Sequence, residues 1–428
     1  MIDEAGPWGT GPFTLVQGAS SITTHHLLIS TEPFAATNVI ASEQRDPLVV
    51  LEANLDHWNR ERGPWIERAI FRNDLTPDRA LDLCLSTDSE VDIVTEVSPA
   101  DADRVIASER ARLVVNDANR VLVGIINRQA RDVPLDDVDV RRALNMAVDR
   151  AEIIDKGLNG YATPLSALTP PWCSGYPQGA QPYEQDPEQA KALFRGWPEG
   201  RPLRLATAGA FEGVAALVAD DLRSSLDIQV EVVVVGPADA AAGARVLVEN
   251  KLPMAWDILL FGWFDLSSEA PPAAVHREFF GLDGAFRAGP PVPEFDALFD
   301  EMRVQLDGER LVEVAERIDA LCHDQALALF LCAPQALYAV NNHVSFGPYR
   351  TTLEVAEVTV DEQHWSLTGG ATDLSGSGQG SGQDVPPTTA PPSPVTAPCR
   401  RTPRARASPG SPEPRATPVS RRGGTAAR

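Results

Sequence analysis

The sequence predicts an α/β protein, and three observations lead to this prediction. Short apolar segments alternate with segments of helical periodicity along most of the first 340 residues. Acidic or hydroxyl N-cap residues precede several of the helical segments. The 428 residues are more than one ordinary core accommodates, which predicts two or three domains.

The strand candidates are short runs rich in β-branched and aromatic residues. The unbroken run Val232–Val235 is typical of a strand that is covered on both faces. Because strands and helices alternate, the order predicts βαβ units and a mostly parallel sheet. Strands are predicted at Val49–Glu52, Ala69–Phe71, Val91–Ile93, Leu113–Val115, Val121–Ile126, Leu203–Ala206, Ile228–Val235, Asp257–Phe261, Leu327–Leu331 and Ala336–Val340.

Helices are predicted where apolar residues recur every three to four positions. The clearest case is Asp137–Val148, whose apolar residues form one stripe. Asp149 followed by Glu152 resembles a capping box that opens a second helix. Asp186-Pro187 repeats this logic, with proline at the first helical position. Other helices are predicted at Pro77–Leu85, after Ser98, after Phe211 and from Leu311 to Cys322.

Charge is distributed unevenly along the chain. The formal net charge is −23, which argues against a nucleic-acid partner for the whole chain. Residues 371–428 carry +5 and 11 of the 36 prolines, and they leave −28 for the rest. We therefore expect residues 368–428 to be a disordered tail, either a solvated linker or a basic segment that contacts an acidic surface.

Signatures of catalysis and of metal binding are absent from the sequence. It has no phosphate-binding loop, dinucleotide fingerprint, zinc-protease motif or nucleophile elbow. The five cysteines are scattered and form no metal-binding pair, so buried free thiols are expected. His25-His26 is interpreted as a surface strand pair. We therefore expect no catalytic residues, no metal and no cofactor.

Two aromatic segments are candidates for ligand contact. Phe261 to Asp265 ends a predicted strand, where ligand crevices of open α/β sheets lie. There Trp263 and Phe264 could cover a ligand and Asp265 could hold an ammonium group, or else Trp263 is core and Asp265 caps a helix. Trp172 follows two prolines in a loop that either exposes the aromatic ring or only packs.

Several segments resemble, in the same order, the extracellular solute-binding proteins of the peptide/nickel ABC-transporter family. The longest and most specific match is Asp136–Arg150, which resembles the family's DDVRVRQALNYAIDR signature. The remaining matches are Gly9–Phe13 (GTGPF), Asn54–Trp58 (NLDHW), Ser89–Ile93 (SEVDI), Asp186–Leu193 (DPEQAKAL) and Phe261–Trp263 (FGW).

The resemblance implies a two-lobed, Venus-flytrap fold that closes by a hinge motion around a peptide-like solute. Residues 1–126 would form a partial lobe I, completed by about 344–367, and residues 127–343 would form lobe II. Crossovers would fall near Asn127–Pro134 and Asn341–Phe346. The binding residues would be Trp263, Phe264, Asp265, Trp172 and Asn127. The protein would be a monomer that delivers solute to an ABC permease.

The sequence departs from the family pattern in two ways. The chain starts near the GTGPF motif, without a signal peptide, so an extracytoplasmic location follows from the resemblance but a cytoplasmic one follows if Met1 is the true start. Asp265 stands one position before the acidic residue that pairs with peptide amino termini in the family. Alternatives are therefore a truncated remnant that binds nothing and a cytoplasmic ligand sensor or partner-binding module.

Overall fold

A computed structural model describes residues 9–18, 46–86, 90–235, 256–264, 273–284, 287–350 and 353–368. The predicted tail, His25-His26 and Asp265 lie outside these residues. The strands are β1 Phe13–Gln17, β2 Leu48–Ala53, β3 Arg68–Arg72, β4 Ile93–Val94, β5 Ala111–Asn116, β6 Arg120–Ile126, β7 Ala162–Pro164, β8 Leu203–Ala208, β9 Val230–Val235, β10 Ile258–Phe264, β11 Ala328–Pro334, β12 Ala336–Asn341, β13 Val344–Ser345 and β14 Thr359–Val360.

The α-helices confirm the predicted alternation of helix and strand. Asp149 and Asp186 each accept a backbone N–H at the start of a helix, as predicted, and Asp137 does so as well. The helices are α1 Pro77–Ser86, α2 Ala102–Ile106, α3 Val138–Met146, α4 Arg150–Glu152, α5 Pro187–Leu193, α6 Glu212–Leu226, α7 Ala273–Phe280, α8 Pro293–Arg303, α9 Gly308–Asp324 and α10 Trp365–Thr368.

The largest sheet has six strands in the order β7-β11-β6-β10-β8-β9. Its two parallel pairings are β8 with β9 and β8 with β10, while β6 and β11 pair antiparallel with their neighbours. The prediction of a mostly parallel sheet is therefore wrong. It holds only for the β9-β8-β10 part of the sheet, because β6 enters the sheet from another sheet and not through a βαβ crossover.

Strand β9 lies at the edge of the six-stranded sheet. Val233 and Val234 are 39% and 44% exposed. The prediction that the Val232–Val235 run is covered on both faces is therefore wrong. β-branched residues fit an extended backbone whether or not a second layer covers them, so the run predicts a strand but not its burial.

A second sheet has three strands in the order β4-β12-β5. The chain passes from β5 to β6 through residues 117–119, and from β11 to β12 through Gln335 alone. These two changes of sheet lie earlier than the predicted crossovers near Asn127 and Asn341. We therefore propose that β6 belongs to lobe II and β12 to lobe I, in place of the predicted boundaries at 126 and 343.

Both faces of the six-stranded sheet are covered by apolar cores. Alternate residues of β6 enter opposite cores: Leu122 and Ile126 face one, and Val121, Val123 and Ile125 face the other. This double cover explains why six of its seven residues are buried. A separate core packs α1 and α2 against the β4-β12-β5 sheet.

The long signature segment Asp136–Arg150 fixes α3 to β11 through buried polar groups. Asn145 donates to the Ala328 carbonyl at 3.0 Å and accepts from the Phe330 N–H at 3.0 Å. Arg150 donates to the Phe330 carbonyl at 2.7 Å, and Arg141 donates to the Ala326 carbonyl at 3.1 Å. Burial lowers the pKa of Arg141 and of Arg150 to about 10, so both remain charged at neutral pH. The segment thus has a structural role, because its buried polar groups fasten the helix to the large sheet.

A third sheet, β1-β2-β3, joins two more of the recognised motifs. Asn54 donates its side-chain N–H to the Gly11 carbonyl at 3.0 Å, and His57 Nδ1 lies 3.0 Å from the Thr10 carbonyl. These contacts tie the GTGPF segment to the NLDHW segment across the strand ends. The match of both motifs to the family therefore reflects one local structure.

Candidate functional site

The two chain crossovers between the β4-β12-β5 sheet and the six-stranded sheet lie side by side. Gln335 Nε2 donates to Asp117 Oδ1 at 2.9 Å, and this bond joins one crossover to the other. The Gln335 N–H also donates to the Tyr161 carbonyl at 3.0 Å. A pair of short adjacent connections between two sheets is the arrangement that a hinge between lobes requires.

The end of β10 lies beside this double crossover. Trp263 is in register with Val121, and Phe264 is in register with Arg120, the first residue after the 117–119 crossover. The backbone thus places positions 263 and 264 next to the 117–119 crossover. The side chains of Trp263 and Phe264, and the whole of Asp265, lie outside the described structure.

Packing against Phe211 requires glycine at position 262, directly before Trp263. A Cβ atom at position 262 would lie 2.7 Å from Cζ of Phe211, at the start of α6. Only glycine lets the Phe211 ring approach the β10 backbone this closely. The FGW motif therefore combines a packing requirement at Gly262 with an aromatic residue at the strand end.

Trp172 also lies near the 117–119 crossover. The next residue, Cys173, donates its thiol to Asn119 Oδ1 at 3.2 Å, and Asn119 lies in the crossover itself. Trp172 is half-buried against the core that contains Val121 and Val123, and within the described residues its buried indole N–H has no hydrogen-bond partner. Of the two alternatives for this loop, the half-buried ring agrees with the one in which the loop packs, because the loop folds back onto the core.

The structure separates Asn127 from the other predicted site residues. It follows the far end of β6, six residues from Val121, which corresponds to about 20 Å along a strand. Its side chain is buried and already occupied, since Nδ2 donates to the Trp256 carbonyl at 2.9 Å and Oδ1 accepts from the Gln129 N–H at 3.2 Å. Asn127 thus fixes the far strand end, and the expected use of Asn127 at the crossover lacks support.

Two contacts near the crossovers involve residues that no motif singled out. Arg120 lies 3.9 Å from Glu96, which follows β4 in the three-stranded β4-β12-β5 sheet. Asn159 donates to the carbonyl of Pro99, which lies between β4 and α2, at 2.9 Å. Burial raises the pKa of Tyr338 on β12, and nearby Arg120 partly offsets this effect. No motif marked these residues, because their proximity depends on the crossovers.

The site shows no donor set for a metal ion. Within the described residues, no group of three or more His, Cys, Asp or Glu side chains could hold one.

Cys84, Cys322 and Cys332 are buried free thiols, as predicted. Burial raises the pKa of Cys84 and of Cys332 to about 12, so both stay protonated and unreactive at neutral pH. The described groups can offer aromatic surface, amides and an ion pair, which suit binding.

Adjacent crossovers between two sheets, with the end of β10 beside them, are the arrangement of a two-lobed binding protein. The model of the bacterial extracellular solute-binding proteins, family 5 Middle, matches residues 4–276. The chain belongs to this family, which confirms the resemblance noted in the sequence motifs.

Individual relatives agree with the family assignment. The chain is 28% identical over 192 residues to the dipeptide-binding protein of Escherichia coli, covering 45% of this chain and 30% of that protein. It is 24% identical over 316 residues to the probable di/tripeptide-binding protein 5 of Pseudomonas aeruginosa, covering 70% and 56%. These matches span less than two thirds of either relative.

A solved structure confirms the fold. The ABC transporter substrate-binding protein CtaP of Listeria monocytogenes superposes with a TM-score of 0.66 at 18% identity, covering 82% of this chain and 67% of CtaP. The predicted periplasmic-binding-protein-like α/β fold is thereby confirmed. In the described residues, no helix is both long and apolar enough to cross a membrane.

Proposed function

We propose that this chain is the solute-binding component of an ABC transporter and binds a small peptide-like solute beside the hinge. The observation that carries the proposal is the register of β10, which brings Trp263 and Phe264 next to the 117–119 crossover. Dipeptide and di/tripeptide binders among the relatives favour peptides as the solute class.

In this proposal, binding uses aromatic cover from Trp263, Phe264 and Trp172, together with Asp265 as an acceptor for an ammonium group. Closure of the hinge removes water from the solute. Ligand-dependent closure needs no bond chemistry, so we propose that the protein is not an enzyme. An ABC permease is the proposed partner, the proposed location is extracytoplasmic, and the proposed state is a monomer.

Closure would also involve the lobe-to-lobe contacts. Arg120 with Glu96 and Asn159 with Pro99 join the lobes at the hinge. If opening separates these pairs, both contacts are lost, while the Gln335 bond to Asp117 lies between the crossovers themselves. The first two contacts therefore favour the closed state by a modest amount, on the order of 1 kcal/mol, because the Arg120–Glu96 pair is long and solvent-exposed.

A second candidate is a fold that binds no solute by itself. It is favoured by exposed apolar side chains on and near the β1-β2-β3 sheet, since such surface normally packs against another part of a protein. The exposed residues are Val16, Leu55, Trp58, Trp65, Ile70 and Phe71.

A thermal-shift screen separates the two candidates. The protein is melted with dipeptides, tripeptides, nickel chelates and sugars, because a ligand of the native state raises Tm by mass action. The proposal predicts a concentration-dependent rise with peptides that is lost in Trp263→Ala. A cooperative melt with no shift for any class contradicts solute binding and supports the second candidate.

A further inference from the structure

A buried acidic side chain lies beneath the loop that carries Trp172. Asp319 on α9 is fully buried in the core that contains Phe280 and Phe295. Its Oδ1 atom accepts the Leu168 N–H at 2.9 Å and lies 3.0 Å from Nε2 of His276, which is also fully buried. A carboxyl group in an apolar core is costly, so its retention calls for a role beyond filling space.

The two residues that contact Asp319 Oδ1 belong to two different segments, one on each side of the proposed site. Leu168 lies four residues before Trp172, in a segment that contains no helix or strand between Pro164 and Pro187. His276 lies on α7, which is the next described element after the end of β10. The Asp319 Oδ1 atom therefore connects the Trp172 loop to α7, and α7 contacts β10 through the rings of Phe279 and Phe261, whose centroids lie 5.7 Å apart.

Two further hydrogen bonds hold the Trp172 loop at other points. Leu165 bonds to Leu331 at the start of the loop, and Cys173 bonds to Asn119 after Trp172. Between these two points, the Leu168 N–H has Asp319 as its acceptor and is itself fully buried. If this acceptor is removed, the N–H loses a partner that water cannot replace, so the loop should shift or open locally.

We propose that Asp319 is a positioning residue that fixes the distance between the Trp172 loop and the β10–α7 side of the site. Through this distance it sets the affinity for the solute. This inference rests on the proposed function, but its structural part is testable without ligand. Asp319 itself does not contact the solute, since it is buried in the core below the loop.

The test compares Asp319→Leu, Asp319→Asn and the exposed control Asp300→Leu by hydrogen exchange and by dipeptide titration. Leucine removes the acceptor, whereas asparagine keeps an oxygen for the Leu168 N–H. We expect Asp319→Leu to speed exchange of residues 168–173 at least tenfold without changing β6. We expect it to weaken binding of the dipeptide selected by the thermal-shift screen at least tenfold. Asp319→Asn should stay within about threefold of the unmodified protein, and Asp300→Leu should change neither readout.

Unchanged exchange at residues 168–173 in folded Asp319→Leu overturns the proposal, as does unchanged affinity. If Asp319→Leu does not fold, His276→Leu provides the test, since it removes the contact to α7 and leaves the Leu168 bond intact. Faster exchange in α7 with unchanged exchange at 168–173 then supports the proposal, and unchanged α7 exchange overturns it. Failure of the unmodified protein to bind any dipeptide contradicts the proposed function, while the exchange data still decide whether Asp319 positions the loop.

Discussion

The six-stranded sheet and the β1-β2-β3 sheet both contain strands rich in apolar residues, but they differ in how much of their surface other elements cover. In β6, both faces are covered, and six of seven residues are buried. In β1, β2 and β3 only Leu15 and Val50 are buried, and none of the strand residues belongs to the four apolar cores of the described structure. Alternation makes a strand amphipathic, but the second layer is what makes it stable.

The largest expected effect is a difference in local stability between these two sheets. We predict that amides of β2 exchange with solvent faster than amides of β6 by on the order of a thousandfold, because few apolar contacts resist local opening of β2. Native-state hydrogen exchange followed by mass spectrometry measures both strands in one experiment. Equal protection in the two sheets would show that the β1-β2-β3 sheet is packed as firmly as the six-stranded sheet.

Loss of the buried amide that fixes α3 to β11 should have the next largest effect. Asn145→Ala leaves the Phe330 N–H and the Ala328 carbonyl without their side-chain partner, and it removes an acceptor of Arg150. We expect the free energy of unfolding to fall by about 3 kcal/mol. Urea denaturation measures this change.

Asn342 provides the matched control, because its exposed amide also donates to a backbone carbonyl, that of Glu109. Asn342→Ala should cost less than about 1 kcal/mol, since water can replace the lost bond. A similar loss in the free energy of unfolding for Asn145→Ala and Asn342→Ala would contradict the inference that the buried hydrogen bonds of the signature segment hold α3 against β11.

The centre of the six-stranded sheet is tightly packed, so adding a methyl group at Gly124 should lower the stability of the protein. A Cβ at Gly124 would lie 2.7 Å from the Ile258 side chain and 2.9 Å from that of Leu329. We expect Gly124→Ala to destabilise the protein by about 2 kcal/mol. Gly213→Ala in α6 meets nothing within 4 Å and should be neutral or stabilise by up to about 1 kcal/mol. In thermal melts, the Tm of Gly124→Ala should therefore fall, whereas the Tm of Gly213→Ala should stay unchanged or rise.

The smallest expected effect is the pH dependence of stability that Asp221 causes. Burial raises the pKa of Asp221 to about 6, against a weaker opposing hydrogen bond from the Asp149 N–H. Since the folded state binds the proton more tightly than the unfolded state, this group favours folding below its ordinary pKa, and the benefit is lost as pH rises through about 6. Asp221→Asn should therefore increase stability at pH 7 by about 1 kcal/mol, a value reduced for the half-exposed position.

The measurement for this prediction is the Tm of Asp221→Asn and of the unmodified protein between pH 4 and pH 8. The Tm difference should grow with pH and level off above pH 7. A difference that is largest at pH 4 would show that Asp221 is stabilised as the charged form.

The sequence predicts local structure well because its signals are local. Asp149 and Asp186 cap helices as predicted, because an N-cap bond reaches only two or three residues along the chain. The signature segment predicts the family for the same reason, since it encodes one helix and its buried fastening.

Features that depend on strand pairing between distant segments could not be predicted in the same way. The position of the crossovers follows from the pairing of β6 with β10 and of β12 with β5, which are far apart in sequence. Asn127 resembles a hinge residue by its place in the chain, but the register moves it to the opposite strand end from Trp263. Asp319 and His276 carry no sequence motif, and their contact across 43 residues appears only in the folded chain.

The measurement that tests the central claim most directly is a calorimetric titration of the selected peptide into three proteins: the unmodified chain, Trp263→Ala and Trp197→Phe. Trp197 stacks on Phe194 at 5.3 Å and packs against the other core, so it provides a control for loss of a tryptophan. The account predicts that Trp263→Ala abolishes or weakens binding at least tenfold and that Trp197→Phe binds normally. Equal binding by all three proteins would contradict a solute site at the hinge end of β10.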